Sequence, residues 1–311
     1  MRIVFFGTPD FAVPSLKALL ASSHDVVGVV TQPDRPRGRG QRVSEGPVKA
    51  LAVERGLPVL QPDSLKRDQF AEQFTAVKAE LGVVAAYGKI LPQWLLDAPR
   101  HGMINVHASL LPKYRGAAPV HRAVINGERE TGVTIMRVVK ALDAGPMMAT
   151  VVRQIGVNEP SDVVERDLAG LGADLLVAVV DDLAAGRSRE VAQDEREATY
   201  AHRLTKDEGL LDFSLPAVTI HNRIRGLRPW PTAYTHFKGK RLVIHQSRLS
   251  DREVTATPPG TCLAAGASGI TVACGDAHAI DILQLQPEGR RSMSVRDYLA
   301  GHGVLAGQRF G

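Results

Sequence analysis

The residues best suited to chemistry lie within residues 102–119, the segment GMINVHASLLPKYRGAAP. Asn105 and His107 stand two positions apart in an apolar run that predicts a β-strand, and such a pair projects from one face of a strand. An amide donor beside an imidazole can polarise a carbonyl group and handle a proton. A loop with Pro, Gly, Lys113 and Arg115 follows directly, and it predicts a basic rim beside the pair.

Asp143 supplies a carboxylate in the turn-prone sequence Leu-Asp-Ala-Gly at 142–145. Asn, His and Asp are the side-chain types that an acyl-transfer site uses. Judged by type alone, a single His on an apolar strand is more often a buried structural residue. Asp143 by itself is equally a good turn residue. The residue types therefore leave catalysis and structure open as alternatives.

The ordered string Asn-Val-His-Ala-Ser-Leu-Leu-Pro-Lys-Tyr-Arg-Gly, residues 105–116, resembles the signature of the folate-dependent formyltransferases. These enzymes move a formyl group from 10-formyltetrahydrofolate to an amine. The sequence ETGVTIMRV followed by LDAGPM resembles the family's catalytic aspartate segment. The resemblance implies that Asn105, His107 and Asp143 are catalytic. Asn105 and His107 would hold the oxyanion. Asp143 would orient His107 and favour its charged form, or accept the amine proton through a water. Which of these residues acts as the base stays open.

Two further segments match the family's folate contacts. Residues 81–92, LGVVAAYGKILP, predict a strand ending in a turn, and without the resemblance they would be a core strand with a hydrogen-bonded tyrosine. The resemblance makes one wall of the pterin pocket from backbone groups of Ala85, Ala86, Tyr87 and Gly88. The second segment offers apolar contacts and one hydroxyl, and its residues are Ser109, Leu110, Leu111 and Pro112.

Residues 31–42, TQPDRPRGRGQR, combine four arginines with Gly and Pro. This composition predicts an exposed, mobile loop suited either to RNA phosphates or simply to solvent. QPDRPRGRG resembles the loop that the tRNA-specific branch of the family inserts at the tRNA acceptor end, with Arg39 as the implied wedge. The predicted tRNA-contacting residues of this loop are Arg35, Arg37, Arg39 and Arg42.

Basic and aromatic residues also interleave in the C-terminal third, around GLRPWPTAY. That mixture fits an RNA-facing surface, or arginines packed around a core tryptophan. Because GLRPWPTAY resembles a structural hallmark of the family's second domain, we predict a structural role for Trp230, as a core tryptophan. Three cations near it are the predicted contacts for tRNA phosphates, Arg228, Lys238 and Lys240.

Composition limits the classes of protein. The chain has 311 residues, 44% hydrophobic and 23% charged, with a formal charge of +5. This predicts a globular chain of two domains with a mild basic bias. The spacing of Cys262 and Cys274 is not that of metal ligands, so we expect both cysteines to be small buried residues and the protein to need no metal. Residues 2–6 predict a first strand rather than a signal peptide, and residues 175–180 are too short to span a membrane, so a cytoplasmic protein is expected.

The elements that must position these residues are predicted from the apolar pattern. Short apolar runs alternate with amphipathic segments up to residue 186, which is typical of a parallel sheet layered with helices. The resemblance makes this an α/β fold with a doubly wound, mostly parallel, Rossmann-like sheet. GTPDF at 7–11 lacks the GxGxxG pattern and predicts a tight turn from strand to helix. The last long helix is predicted over 161–186, with Ser161 as its N-cap and Gly186 as its end.

Past residue 206, one predicted helix (216–227) is followed by short strands with Gly- and Pro-rich turns. That pattern predicts a small β-barrel, and the resemblance makes it OB-like. The predicted organisation is a formyltransferase domain (1–189), a charged linker (190–206) and an OB-like tRNA-binding domain (207–311).

The reaction implied by the resemblance is formyl transfer from 10-formyltetrahydrofolate to the amine of initiator methionyl-tRNA. The sequence does not give the oligomeric state, and a monomer is the default expectation. One alternative is a formyltransferase for a small amine, such as a purine precursor or a nucleotide sugar; the arginine loop and second domain argue against it. Another is a nucleotide-binding regulator with an RNA-binding appendage. The missing glycine fingerprint, and the presence of Asn105, His107 and Asp143, argue against such a regulator.

Overall fold

The computed structural model describes residues 1–37 and 42–311, and for residues 35–37 and 42–44 only the backbone. The chain forms two compact units. The first unit contains Met1–Pro119, Thr131–Arg153 and Glu165–Ala201. The second unit contains Val120–Glu130, Gln154–Val164 and His202–Gly311.

A seven-stranded sheet organises the first unit, in the order β10-β9-β7-β6-β1-β2-β5. Up to residue 201 the strands are β1 (Arg2–Gly7), β2 (Asp25–Val30), β3 (Arg35–Arg37), β4 (Arg42–Ser44), β5 (Val59–Leu60), β6 (Leu81–Ala85), β7 (Met103–His107), β8 (Arg115–Gly116), β9 (Glu130–Arg137), β10 (Met147–Gln154) and β11 (Tyr200–Ala201). The helices are α1 (Val13–Ala21), α2 (Pro47–Glu54), α3 (Arg67–Ala76), α4 (Gln93–Leu96), α5 (Pro119–Ile125) and α6 (Ser161–Ala184).

The strand order identifies where this sheet binds ligands. Strands β5, β2, β1, β6 and β7 pair in parallel, and β9 is antiparallel to β7. The strand order reverses between β1 and β6. From β1 the chain continues to β2 on one side of this point, and from β6 it continues to β7 on the other. In doubly wound sheets, ligands bind outside the carboxyl ends of the strands at this reversal. The predicted doubly wound, mostly parallel sheet is confirmed.

Continuous apolar sequence explains the central strands. Ile3, Val4, Phe5 and Phe6 of β1 are fully buried, as expected for a parallel strand covered on both faces. At the end of β1, a Cβ added to Gly7 would lie 2.8 Å from the Cβ of Ala12, so only glycine allows this approach. A 3₁₀ turn, Asp10–Ala12, leads into α1, which confirms the predicted tight turn.

Three local predictions need correction. Ser161 is not an N-cap: its hydroxyl is fully buried and donates to the carbonyl oxygen of Arg228 at 2.6 Å. The end of the same helix is as predicted, since Gly186 has φ +68° and its N–H donates to the Leu183 carbonyl. Residues 35–37 and 42, which lie in the predicted loop 31–42, belong to the ladder that β3 forms with β4. Strand β10 was not predicted, because partly buried and exposed residues alternate along this edge strand.

The second unit contains an antiparallel sheet in the order β12-β13-β16-β15-β14, with β17 paired to β16. Its strands and remaining helices are α7 (Ala217–Gly226), β12 (Ala233–Phe237), β13 (Lys240–Leu249), β14 (Cys262–Gly266), β15 (Gly269–Ala273), β16 (Ala279–Pro287), β17 (Met293–Ser294) and α8 (Val295–Gly301). Both edges meet the chain end: Phe310 bridges Phe237 of β12, and Arg309 bridges Thr261 before β14. These bridges close the predicted barrel.

Candidate active site

The carboxyl end of β7 presents the predicted pair. Asn105 lies opposite Val84 of β6 and Met136 of β9, and His107 follows two residues later opposite Thr134. Asn105 is partly buried, and its side chain forms no hydrogen bond with any residue in the described ranges 1–37 and 42–311. Its amide is therefore free to donate to a ligand.

The orientation of His107 is fixed by a backbone oxygen. Nε2 lies 3.0 Å from the carbonyl oxygen of Tyr114, and the ring is only 5% exposed. A carbonyl only accepts, so Nε2 carries the hydrogen and the neutral ring has its lone pair on Nδ1. Nδ1 faces Oδ2 of Asp143 at 3.8 Å, beyond direct hydrogen-bond distance. Nδ1 is thus the nitrogen left for proton exchange.

Asp143 sits in a constrained turn. Its backbone φ is +47°, a left-handed conformation that Asp and Asn tolerate better than most residues. Oδ2 accepts the N–H of Gly116 at 2.8 Å, which directs the carboxylate toward His107. Gly145 is required two residues on, because a Cβ there would collide with the carbonyl oxygen of Arg137. The structure therefore brings together Asn105, His107 and Asp143 at the end of β7.

The predicted basic rim is only half present. Lys113 is exposed, but Arg115 is 2% exposed and binds Glu195 with two hydrogen bonds of 2.8 and 2.9 Å. This pairing raises the pKa of Arg115 and lowers that of Glu195. Arg115 also donates to the side-chain oxygen of Gln193. The prediction for Arg115 is wrong, because its partners lie far along the chain.

The first predicted folate segment lies where β1 and β6 diverge. Ala85 ends β6 opposite Gly7, and Ala86 (φ +47°) and Gly88 (φ +80°) turn the chain. The phenol of Tyr87 is buried without a partner among the described residues, which corrects the hydrogen-bonded tyrosine expected from sequence. Burial raises its pKa to about 12. The backbone carbonyl of Tyr87 accepts the side chain of Gln32 at 2.7 Å, a contact the sequence did not signal.

The second predicted folate segment is internally bonded. Ser109 is fully buried, and its hydroxyl donates to the carbonyl of Lys113 at 2.7 Å. Thr134 donates to the carbonyl of Ser109 and accepts the N–H of Leu111, which holds the loop on β9. Leu110 and Pro112 are partly exposed and Leu111 is buried. The side chains of Leu110 and Pro112, rather than the serine hydroxyl, are open to a ligand.

The β3–β4 hairpin carries three of the predicted tRNA-contacting arginines. Arg37 pairs with Arg42, and Arg35 with Ser44, while Arg39 lies outside the described residues. At its base, Asp34 accepts Nζ of Lys49 at 2.5 Å and the amide of Gln61 at 3.1 Å. The hydrogen bond to Asp34 raises the pKa of Lys49. Asp34, the residue directly before β3, is thus held by two side chains from elsewhere in the first unit.

The predicted C-terminal cations differ in environment. Arg228 forms an ion pair with Asp162 at 3.3 Å. Lys238 donates to the carbonyl of Gly303, and Lys240 is exposed at the start of β13. Trp230 is 48% exposed, so its predicted place in the core is wrong.

Two cations missed in the sequence, Arg290 and Arg291, lie at the same end of the barrel as the β12–β13 turn, because Leu242 pairs with Pro287. Both are exposed. The signal that could have found them is the strand register, since the two turns are distant in sequence.

Comparisons with known proteins agree with this architecture. A family model described as "Formyl transferase" matches residues 1–180, and one described as "Formyl transferase, C-terminal domain" matches residues 203–303. The chain belongs to the formyl transferase family. A methionyl-tRNA formyltransferase from Methylococcus capsulatus is 48% identical over 311 residues, 100% of both chains. The protein of that name from Bacillus subtilis is 44% identical over 310 residues, covering 100% of this chain and 98% of the relative.

Solved structures share the fold of this formyl transferase. An N-formyltransferase from Helicobacter canadensis, in complex with folinic acid and dTDP-3-aminofucose, has a TM-score of 0.70 at 16% identity and covers 92% of this chain and 99% of its own. HypX from Aquifex aeolicus, in complex with tetrahydrofolic acid, has a TM-score of 0.63 at 16% identity, and the match covers 96% of this chain and 47% of the HypX chain.

Neither a membrane-spanning helix nor a metal cluster is present in the part of the chain that the structure describes. No helix in residues 1–37 and 42–311 is long and apolar enough to cross a membrane. Within the same ranges, no group of three or more His, Cys, Asp or Glu side chains could hold a metal ion.

Proposed function

We propose that this formyl transferase moves the formyl group of 10-formyltetrahydrofolate to the amino group of initiator methionyl-tRNA. The observation that carries the proposal is similarity over the whole length, 48% identity across both units, to a relative named for that acceptor. The alternative of a small amine is not favoured. The solved structures that name an amino sugar are only 16% identical, and therefore inform on the fold alone.

The proposed reaction starts with a neutral amine, which an α-amino group with a pKa near 7.7 readily provides. The amine nitrogen attacks the formyl carbon, and the carbonyl oxygen becomes an oxyanion. The side-chain amide of Asn105 has no other partner among the described residues and donates to that oxygen. Loss of such a donor costs about 10²–10³ in rate.

His107 and Asp143 handle the proton in this proposal. Nε2 of His107 is occupied by Tyr114, so Nδ1 is the exchanging atom, 3.8 Å from Asp143. The amine proton passes to Nδ1, directly or through a water, and the carboxylate stabilises the imidazolium. The proton then goes to the folate nitrogen as its bond to the formyl carbon breaks, which yields tetrahydrofolate and the formylated amine.

The donor would lie at the point where β1 and β6 diverge. The proposed pterin wall is the backbone of Ala85, Ala86, Tyr87 and Gly88. The proposed apolar contacts come from Leu110, Leu111 and Pro112, while Ser109 supports that loop from within. Support comes from the position of both segments at the carboxyl edge of a doubly wound sheet.

The proposed tRNA contacts are basic residues on both units, within the proposed division into a catalytic domain (1–189), a linker (190–206) and a tRNA-binding domain (207–311). A small acceptor would need neither the hairpin cations nor those of the barrel. The cations are Arg35, Arg37, Arg39, Arg42, Arg228, Lys238 and Lys240, to which we add Arg290 and Arg291.

The test is transfer of radiolabelled formyl from 10-formyltetrahydrofolate to initiator methionyl-tRNA, with elongator methionyl-tRNA and free methionine as matched acceptors. We expect rapid transfer to the initiator species only. Transfer to a small amine at a similar kcat/KM would overturn the proposed acceptor, and absence of folate binding would overturn the proposed donor.

A further inference from the structure

Residues 190–201, which we call the connecting segment, lie between the two matched family models and outside both. In the structure this segment is attached along its length to the loops of the candidate active site. Glu190 accepts Nε of Arg137 at 2.6 Å, and Val191 bridges Met147. At its other end, β11 pairs in parallel with β8. This part of the predicted linker therefore lies within the first unit.

Gln193 is the residue of this segment that reaches the Asp143 turn. Its side-chain nitrogen donates to the carbonyl oxygens of Asp143 and Gly145, each at 2.8 Å. Its side-chain oxygen accepts Nε and Nη2 of Arg115 at 3.0 and 2.9 Å. All donors of the amide are used, and the surrounding donors and acceptors allow only one orientation of this group. Gln193 thus clamps both sides of the left-handed turn at Asp143.

The partner that orients Gln193 is itself fixed. Arg115 is buried and held by the bidentate pair with Glu195. Its chain neighbours touch the catalytic residues directly: the Tyr114 carbonyl accepts His107, and the Gly116 N–H donates to Asp143. One partly buried network, with Arg115 at its buried centre, therefore links the connecting segment to the positions of both His107 and Asp143.

We propose that Gln193 is a positioning residue for the formyl-transfer reaction, holding the Asp143 turn so that the carboxylate stands 3.8 Å from His107. The inference rests on the proposed function for its kinetic readout. Because Gln193 bonds only to backbone and to Arg115, it binds no substrate, and its loss lowers kcat while leaving KM for donor and tRNA near the wild-type values.

The test uses two variants in the full-length protein. Gln193→Met keeps the size of the side chain and removes every hydrogen bond. Gln193→Glu keeps the acceptor for Arg115 and removes both donors to the turn. We expect Gln193→Met to lower kcat by about 10- to 100-fold, the usual cost of misplacing a catalytic group. Gln69→Met, at an exposed glutamine of α3, is the matched control and should match wild type.

The pH profile separates positioning from a merely structural role. A protonated glutamic acid regains one donor, so kcat of Gln193→Glu should recover partly as the pH falls toward the pKa of that carboxyl, whereas Gln193→Met should show no such recovery. Wild-type kcat in folded Gln193→Met, or a fall in activity that only follows loss of folded protein, would overturn the inference.

A readout independent of the acceptor keeps the two proposals distinguishable. Amide hydrogen exchange at the turn, read at Gly116, whose N–H donates to the Asp143 carboxylate, should accelerate in Gln193→Met and stay unchanged in Gln69→Met. If the wild-type protein fails to formylate methionyl-tRNA but this difference is observed, the proposed function fails and the clamp stands. If exchange at the turn is unaffected, the clamp is wrong whatever the acceptor.

Discussion

Single residues at this site are arranged by backbone groups as much as by side chains. A carbonyl fixes His107, an N–H fixes the carboxylate of Asp143, and a glutamine fixes the turn that carries it. The left-handed φ of +47° at Asp143 is a cost that this surrounding network offsets. Charge and conformation at residue 143 are therefore separable by substitution.

Asp143→Asn and Asp143→Ala test that separation. Asparagine tolerates positive φ and still accepts the Gly116 N–H, so we expect normal stability with kcat lowered by about 10²–10⁴ for loss of the charge. Alanine should lose the same activity and also about 1 kcal/mol or more of unfolding free energy. Steady-state kcat and thermal melting measure the two effects. Wild-type kcat in the asparagine variant would show that the negative charge has no role.

At the scale of elements, the long helix α6 meets the end of α7 through Ser161. Its buried hydroxyl lies 2.6 Å from the carbonyl oxygen of Arg228 and 3.0 Å from that of Gly226. Gly226 is the last residue of α7, and Arg228 lies just beyond it. The final carbonyls of a helix lack intrahelical partners, so a buried helix end needs such donors.

Replacing Ser161 with alanine should lower the unfolding free energy by about 1–3 kcal/mol, because it removes the hydroxyl donor from the buried carbonyls at the end of α7. Ser268→Ala, at an exposed serine between β14 and β15, is the control and should melt with wild type. Denaturant unfolding with unchanged m-value is the measurement. Equal stability of the two variants would contradict the helix-end role.

Strands and helices with strong periodicity could be predicted from sequence, and long-range polar pairings could not. The central strands are apolar throughout, so their pattern identified them. Ser161 was mistaken for an N-cap because a serine before a helix has the same local sequence whether it caps that helix or bonds to another. Arg115 was placed at the surface because its partners, Gln193 and Glu195, lie 78 and 80 residues away.

Helix α7 also carries a titrating group that makes stability depend on pH. His221 is buried, with Nε2 donating to the carbonyl of Val157 and Nδ1 bonded to the hydroxyl of Ser247. Burial lowers its pKa below the usual 6.5, so the folded state resists protonation while the unfolded state takes up a proton. The stability that the neutral His221 contributes is fully present above pH 6.5. It is lost as the pH falls through the lower pKa that His221 has in the folded state.

We therefore expect the unfolding free energy to fall between about pH 7.5 and about pH 5.5, and to fall less in His221→Gln, which keeps a donor near Val157 but does not titrate. His121, whose pKa burial also lowers, should account for part of the remaining dependence. Denaturant unfolding at both pH values measures the difference. Identical pH dependence in wild type and variant would exclude His221 as its source.

For the whole molecule, the formal charge of +5 is small, but the basic residues are not spread evenly over the surface. The register of β13 against β16 brings two basic turns to one end of the barrel, so Lys238 and Lys240 stand near Arg290 and Arg291 although about 50 residues separate them in sequence. Cations that contact phosphates release condensed counterions, and the affinity for a nucleic acid then falls with salt in proportion to the number of contacts.

The double variant Arg290→Ser, Arg291→Ser should therefore bind initiator tRNA more weakly and with a shallower salt dependence. The slope of log K against log salt should decrease by about 0.7–0.9 for each phosphate that the variant no longer neutralises. Its kcat at saturating tRNA should stay at the wild-type value, because neither side chain belongs to the candidate active site. Arg166→Ser removes an exposed arginine on α6 and should leave the slope unchanged. If the double variant keeps the wild-type slope, that end of the barrel binds no phosphate, and the tRNA-binding cations of this unit must lie elsewhere.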